Sequence, residues 1–250
     1  MEWIAAKEGP QDTGPVTTTG YIGEVPRGEV RAPSDDEVEP QGFSVRMAPG
    51  CPVLRTHFHS SDQFQLFTEG SARFANHDIA AGVVHFADRH VPYGPLRAGA
   101  EGVTFLTLRS ASSAGAHFMP ENQEALGTAL AEDRAHRAGA GRRNVSFDLS
   151  AIAPTTPGVW QDLRADPDEL RIAVVDLGAT TTAEVGPVRG DGAFLAVLTG
   201  WVHSAEGAMG PGAICWCPRD GHGHLAAGVE GARVVLLQFP VRVPDLAATA

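Results

Sequence analysis

Two histidines and a glutamine in the first half of the chain have the residue types and spacing of a metal site. The segment that begins at Thr56 reads THFHSSDQFQLFTEG and ends at Gly70. On a β-strand, His57 and His59 point to the same face, and Gln63 returns to that face after a short turn. Two imidazoles and an amide oxygen suit a divalent transition metal such as Fe, Ni, Mn, Cu or Zn. The spacing therefore predicts one such metal per chain, held by His57, His59 and Gln63; the alternative is a cavity lined by the same residues without a metal.

The elements that must position these residues are short strands. The chain has 250 residues, and its 29 glycines and 18 prolines divide the apolar sequence into short runs bounded by turn residues. This pattern predicts an all-β fold, an antiparallel sandwich or barrel. We expect strands at 16–22, 42–47, 53–59, 63–67, 83–86, 103–109, 170–177, 194–198, 213–217 and 233–239.

The residue pattern of one segment, 120–138, predicts a helix. Leu126 and Leu130 are spaced four residues apart, Glu121 and Glu124 lie in the first turn, and basic residues lie in the last turn. These charges complement the helix dipole, and glycines at 139 and 141 follow the expected end. Residues 138–143 and the proline-containing stretch 153–158 then have the composition of a linker.

Glycine spacing indicates that the strands before and after this helix are two copies of one β-unit. Gly70 and Gly82 are twelve residues apart, as are Gly200 and Gly212, and an offset of 130 relates the two pairs. With one deletion, the sequence AGAEG at 98–102 also matches AGVEG at 227–231. A repeated pattern of this kind is typical of duplicated structural units.

The first copy resembles the first conserved motif of the cupin superfamily. That motif is HxH followed by three or four residues, an acid or amide, six more residues and glycine. His57, His59, Gln63 and Gly70 match this spacing throughout, with Gln63 in place of the usual glutamate.

The second cupin motif begins at Gly82 and then departs from the family pattern. The pattern would place a proline at 88, a glycine at 90 and the last histidine ligand at 93, where this chain has Asp88, His90 and Tyr93. The fourth ligand position is therefore open to His90, to His85, to Tyr93 or to water.

In the second copy, the offset of 130 places Pro187, Arg189 and Ala193 where the first copy has its three ligands. The second motif is better preserved there, with His222 and His224 on either side of the expected histidine position. The resemblance implies a bicupin with two tandem jelly-roll barrels joined by a helical linker, the second barrel being degenerate. The implied domains are 1–119, 120–158 and 159–250.

The three cysteines indicate free thiols. An odd number, in a chain without an export signal, argues against a disulfide framework. Cys215 and Cys217 alternate onto one face and could join His222 and His224 in a zinc site, although their spacing matches none of the usual zinc modules. The alternative is that both thiols pack as small apolar side chains.

The resemblance implies a metal-dependent enzyme of the dioxygenase, isomerase or lyase type that acts on a small organic molecule in the first barrel. Gln65, His90 and Tyr93 are the expected substrate-binding residues, and no catalytic residue is assigned. The alternative function is a non-catalytic bicupin that binds or senses a small molecule, since a fold does not determine a function.

Charge and composition restrict the partners. Nineteen basic residues against thirty acidic residues give a net charge of −11, which disfavours nucleic acid. No apolar run is long enough to span a membrane, and the first residues lack the pattern of a signal peptide, so we expect a cytoplasmic protein. A homodimer is expected because strands such as Val16–Ile22 can cover open sheet edges of a partner.

Overall fold

The computed structural model describes residues 1–6, 14–23, 39–113, 115–136 and 142–241. These ranges contain strands, one α-helix, α1 (Gln123–His136), and a short 3₁₀-helix (Leu149–Ala151). The strands are β1 (Glu2–Ile4), β2 (Val16–Ile22), β3 (Gln41–Met47), β4 (His57–Phe58), β5 (Gln63–Phe74), β6 (His77–Ala80), β7 (Val83–Ala87), β8 (Leu96–Arg109), β9 (His117–Phe118), β10 (Asn144–Asp148), β11 (Gln161–Ala165), β12 (Arg171–Leu177), β13 (Thr182–Val185), β14 (Ala193–Ser204), β15 (Gly207–Met209), β16 (Ile214–Cys217) and β17 (Gly223–Gln238). The predicted all-β fold with one helix is confirmed. In the described part of the chain, no helix is long and apolar enough to cross a membrane.

The chain divides into two compact units. The N-terminal unit comprises the described residues between 14 and 147, and the C-terminal unit comprises residues 1–6 with 148–241. Residues 1–6 belong to the C-terminal unit because β1 pairs with β16, with Trp3 opposite Cys215. Helix α1 belongs to the N-terminal unit, whereas the sequence placed it in a separate linking segment.

Each unit contains one large antiparallel sheet. In the N-terminal unit the strand order is β10-β7-β5-β8-β3-β2, with β6 beside β5, and β4 pairs separately with β9. In the C-terminal unit the order is β1-β16-β14-β17-β12-β11, with β13 beside β17 and β15 beside β14. The strand orders β7-β5-β8-β3 and β16-β14-β17-β12 therefore have the same connectivity.

The repeated glycines mark the same bend in both sheets. Gly70 has a φ of 68°, and a Cβ added there would lie 2.2 Å from the carbonyl oxygen of Gly102. Gly200 has a φ of 69°, and its added Cβ would lie 2.1 Å from the carbonyl oxygen of Gly231. Only glycine adopts this left-handed conformation with the partner backbone so close, so the repeated spacing records a shared backbone requirement.

The inner face of the N-terminal sheet carries an apolar core in its middle. Phe43, Phe67, Phe74, Leu96 and Phe105 are buried there. Alternate residues of β5 share this face, so Gln63 and Gln65 point to the same side as Phe67. The apolar core ends where these polar side chains begin.

Candidate functional site

A short piece of β-structure brings the two motif histidines to the sheet. β4 contains only His57 and Phe58, and His59 follows directly after it. His57 forms a backbone bridge with Tyr93, in which each N–H donates to the other residue's carbonyl oxygen at 3.2 and 3.0 Å. Tyr93 therefore lies beside His57, at the position where the cupin pattern has its last histidine.

Four of the side chains singled out in the sequence converge. The ring centroids of His57 and His59 are 5.1 Å apart, and those of His57 and Tyr93 are 4.6 Å apart. The amide nitrogen of Gln63 donates to the Tyr93 hydroxyl at 2.6 Å. His57, His59, Gln63 and Tyr93 are all buried.

Arg109 completes this cluster and was not among the residues predicted from the sequence. Its Cα is opposite both Gln63 on β5 and Gln41 on β3. Its Nε donates to Gln63 Oε1 at 2.8 Å, its Nη1 donates to Gln41 Oε1, and its Nη2 lies 3.2 and 3.3 Å from the two ring nitrogens of His59. Only 2% of Arg109 is exposed.

The hydrogen bonds around Arg109 form a chain with a defined direction. Because Arg109 Nε–H donates to Gln63 Oε1, the Gln63 amide nitrogen must donate to the Tyr93 hydroxyl. His57 Nδ1 lies 2.7 Å from the carbonyl oxygen of Arg55 and so must carry a proton, which leaves Nε2 as an acceptor. Tyr93 then donates its proton to His57 Nε2, at 3.1 Å.

Burial determines the charges in the cluster. Desolvation lowers the pKa of His57 to about 4, and it lowers the pKa of His59 well below its ordinary value, with a further contribution from the nearby Arg109 cation. Desolvation also raises the pKa of Tyr93 to about 12. Both imidazoles and the phenol are therefore neutral at pH 7.

Arg109 is the charged member of this group. Desolvation lowers its pKa to about 10, so the guanidinium remains a cation at neutral pH. Its hydrogen-bond partners, Gln41 and Gln63, are neutral amides, and among the described residues no carboxylate lies within ion-pair distance of it. Within the described part of the chain, the cluster thus has a net positive charge and no counter-charge.

These donors do not fit the divalent metal that the sequence predicts. The Gln63 oxygen accepts from Arg109, and His57 Nε2 accepts from Tyr93, so two of the three predicted ligand atoms already have partners. A dication bound by these residues would be repelled by the Arg109 guanidinium, by about 8 kcal/mol for an assumed separation of about 4 Å and an effective dielectric of about 20. Within the described ranges, no three His, Cys, Asp or Glu side chains are grouped to offset this repulsion.

The inner face of the sheet changes from polar to apolar along the strands. We call residues that lie opposite one another in β3, β8, β5 and β7 a rung. The first rung consists of Gln41, Arg109, Gln63 and Ala87, and three of its four side chains are polar. The second rung is mixed and consists of Phe43, Thr107, Gln65 and His85. On the third rung the residues of β3, β8 and β5, which are Val45, Phe105 and Phe67, are all apolar. Gln65, predicted to face the cavity, lies on the second rung.

His85 and His90, the two other histidines of the second motif, lie in different places. His85 is buried on the inner face, with its ring centroid 5.5 Å from that of Tyr93. The His90 ring is 6.0 Å from Phe58, which points to the opposite face of β4 from His57. The structure therefore brings Gln65 and Tyr93 of the three predicted substrate-binding residues to the inner face, and places the His90 ring on the other side of β4.

A buried ion pair holds the turn of the second motif. Asp88 occupies the position where the cupin pattern has proline, and its two carboxylate oxygens accept from Arg143 Nη2 at 2.8 Å and Nε at 3.0 Å. The backbone N–H of Arg143 also donates to Asp88. This pair ties the turn that leads to Tyr93 to the segment before β10.

The inner face of the C-terminal unit is apolar at the corresponding positions. Ala193 and Leu195 replace Gln63 and Gln65, and Cys215 replaces His85. Cys215 and Cys217 belong to the apolar core, and burial raises the pKa of the Cys215 thiol to about 12. His222 and His224 are both exposed, so the four residues of the alternative zinc site do not share one environment.

Solved structures similar to this chain share its fold. A proposed dioxygenase from Nostoc punctiforme is 11% identical, with a TM-score of 0.59, over 94% of this chain and 85% of its own. The bacterial pirin YhhW from Escherichia coli, solved with nickel(II), is 11% identical, with a TM-score of 0.56, over 96% of this chain and 99% of its own. An oxalate decarboxylase from Lactobacillus farciminis, solved as a formate complex, is 15% identical, with a TM-score of 0.55, over 96% and 84%.

These relatives are cupin-fold proteins, and the likeness identifies the fold of this chain as that of the cupins. No protein-family model matches the sequence, and no curated protein matches it. The resemblance drawn from the histidine motif is thereby confirmed at the level of the fold.

Proposed function

We propose that the N-terminal unit binds a small organic carboxylate, with Arg109 as its counter-charge. The observation that carries this proposal is a guanidinium that is fully charged, buried and hydrogen-bonded to two neutral amides. A buried charge without a partner costs several kcal/mol, and a bound anion would remove that cost. An arginine retained in such a position therefore favours an anionic ligand.

The donors of Arg109 support a carboxylate as that anion. A guanidinium has five N–H donors; the two amides take one each from Nε and Nη1, and one on Nη2 faces the His59 ring nitrogens, which leaves one donor on each of Nη1 and Nη2. The remaining donors on Nη1 and Nη2 can bind the two oxygens of a carboxylate in the planar arrangement that arginine favours. Tyr93 and the two imidazoles, all neutral, line the same end of the sheet without repelling an anion.

The polar chain from Arg109 to His57 would orient this ligand. Gln63 cannot rotate its amide without losing its bonds to Arg109 and Tyr93, so the Tyr93 hydroxyl is held with its proton toward His57. With its pKa near 12, Tyr93 can share that proton with a ligand oxygen at neutral pH without ionising. These groups bind and orient the ligand.

Calorimetric titration with simple carboxylates tests the proposal. Formate, acetate, butanoate and benzoate are titrated into the full chain and into Arg109→Met, which removes the charge and keeps an unbranched side chain. We expect at least one of them to bind the wild type and to lose about tenfold or more in affinity in the variant. Arg46→Met is the matched control, because Arg46 is exposed on the neighbouring strand β3. Equal binding by wild type and Arg109→Met, or no binding of any of the four by the wild type, would overturn the proposal.

The second candidate function is the metal-dependent enzyme that the motif predicts, with a divalent Fe, Ni, Mn, Cu or Zn ion. The observation that favours it is the convergence of two neutral imidazoles, those of His57 and His59. It requires the Gln63 oxygen to exchange Arg109 for the ion. Elemental analysis of untagged protein after supplementation with these metals, compared with His57→Ala, distinguishes the candidates: about one metal per chain that is lost in the variant would establish the second.

A further inference from the structure

Two buried side chains on the second rung have polar atoms without hydrogen-bond partners. Gln65 and His85 are each only 2% exposed, and their Cα atoms are directly opposite on β5 and β7. Among the described residues, neither Gln65 Oε1 nor His85 Nε2 has a hydrogen-bond partner, whereas His85 Nδ1 lies 3.0 Å from the hydroxyl of Ser146. Buried polar atoms in proteins are nearly always bonded, so this adjacent pair is a place where a bound group can form hydrogen bonds.

The position of this pair relates it to Arg109. Gln65 follows Gln63 by two residues on the same face of β5, which places the second rung about 6.7 Å further along the strands. Tyr93 lies near both rungs, with its hydroxyl 2.6 Å from the Gln63 amide nitrogen and its ring centroid 5.5 Å from that of His85. A ligand held by Arg109 and extending inward along the strands would therefore reach Gln65 and His85.

A hydroxyl group satisfies both orphaned atoms. It can donate its proton to the Gln65 oxygen and accept from His85 Nε2 when that nitrogen carries the imidazole proton. A second carboxylate fits less well, because it cannot donate to the Gln65 oxygen. A purely apolar tail would leave both atoms without partners.

We propose that the ligand of the N-terminal unit is a hydroxy-carboxylate, with its carboxylate on Arg109 and its hydroxyl between Gln65 and His85. This inference rests on the proposed function, and it adds the second recognition point and the distance between the two. A linear chain with the hydroxyl on about the fourth or fifth carbon from the carboxyl group spans one rung. The C-terminal unit, with Leu195 and Cys215 at the corresponding positions, lacks this recognition point.

Matched ligand pairs test the proposal. Butanoate is compared with 4-hydroxybutanoate, and pentanoate with 5-hydroxypentanoate, by calorimetric titration into the wild-type chain. We expect the better-fitting hydroxylated ligand to bind about tenfold more tightly than the plain carboxylate of the same chain length. The reason is that its hydroxyl forms hydrogen bonds with buried atoms that otherwise have none. Equal affinities within both pairs would overturn the proposal.

Two variants separate this outcome from failure of the proposed function. Gln65→Leu introduces the side chain that the C-terminal unit has at the corresponding position, Leu195. This variant should lose the preference for the hydroxylated ligand and keep the affinity for the plain carboxylate. Arg109→Met should weaken both members of each pair. Gln65→Met, which has an unbranched side chain of similar length, replaces Gln65→Leu if circular dichroism shows that the latter is misfolded. A preference that persists in a folded Gln65 variant contradicts the inference and leaves the role of Arg109 intact.

Discussion

Mild acid should destabilise the N-terminal unit selectively. Burial holds the pKa of His57 at about 4 and that of His85 at about 3, whereas an unfolded histidine titrates near 6.5. As the pH falls through 6.5, the unfolded chain therefore binds protons that the folded unit does not. Stability is complete above this pH and is lost progressively as the pH falls toward the two folded pKa values.

The size of the effect follows from the same values. Between about pH 7.5 and pH 5.5, each of the two histidines removes about 1.4 kcal/mol from the free energy of unfolding, or about 3 kcal/mol together. His59 acts in the same direction, because its pKa is also lowered. This loss is a large share of the roughly 5–15 kcal/mol that stabilises a typical domain. Most carboxylates remain ionised in this range, so they add little.

The positions of the aromatic residues allow each unit to be followed separately. Both tyrosines are in the N-terminal unit and all four tryptophans are in the C-terminal unit, at Tyr21, Tyr93, Trp3, Trp160, Trp201 and Trp216. Urea unfolding at the two pH values is followed by tryptophan fluorescence for the C-terminal unit and by ¹⁹F NMR of incorporated 3-fluorotyrosine for the N-terminal unit. We expect the midpoint reported by fluorotyrosine to fall and the midpoint reported by tryptophan to change much less.

Two variants identify the groups responsible. His85→Met should reduce the pH-dependent loss in the N-terminal unit by about 1.4 kcal/mol, since it removes one titrating group. His203→Gln should leave it unchanged, because His203 is exposed in the C-terminal unit. If the fluorotyrosine transition has the same midpoint at both pH values, the buried neutral histidines inferred from the structure are refuted.

Three further predictions concern the cluster, the ion pair and the assembly. Gln63→Glu should give Arg109 an internal carboxylate, so butanoate binding measured by calorimetry should fall by more than about tenfold; unchanged affinity would contradict the role of Arg109 as the counter-charge. Asp88→Asn should lower the free energy of unfolding of the N-terminal unit by about 3–5 kcal/mol in urea titrations, because it removes the buried carboxylate that holds Arg143, and a loss below about 1 kcal/mol would be inconsistent with this. We also expect a homodimer, since Val16–Ile22 is an edge strand of the described sheet; light scattering that gives the mass of one chain would exclude it.

The amino-acid sequence determined the local features of the fold. The predicted strand at 16–22 has the observed bounds, and nine of the ten predicted segments overlap strands of four residues or more. The tenth, at 53–59, is reduced to the two residues of β4, because Leu54 forms only an isolated bridge to Leu96 and the chain bends at Thr56. Strand periodicity and glycine placement are properties of neighbouring residues, and for this reason they could be read from the sequence.

The sequence also indicated the residues at one end of the inner face. His57, His59 and Gln63 come together as their spacing predicts, because a short strand, a turn and the next strand connect them directly. The sequence did not decide which residue occupies the fourth position of the motif, for which Tyr93 was one of several candidates. This was decided by the backbone bridge to His57, which joins segments 36 residues apart in the chain.

The chemistry of this end of the sheet was decided by tertiary structure alone. Arg109 reaches Gln63 across 46 residues and Gln41 across 68, through the register of three neighbouring strands. An arginine at the end of an apolar strand is ordinarily solvated, and nothing in its own neighbourhood shows that its side chain turns inward. Sheet register places it between two amides and beside His59, and burial then removes the positive charge from the two imidazoles while leaving it on the guanidinium. The residues of a motif typical of a metal site thus surround the buried guanidinium of Arg109 as neutral neighbours. The pairing of distant strands decides this, because it determines which groups are buried together and which of them keep a charge.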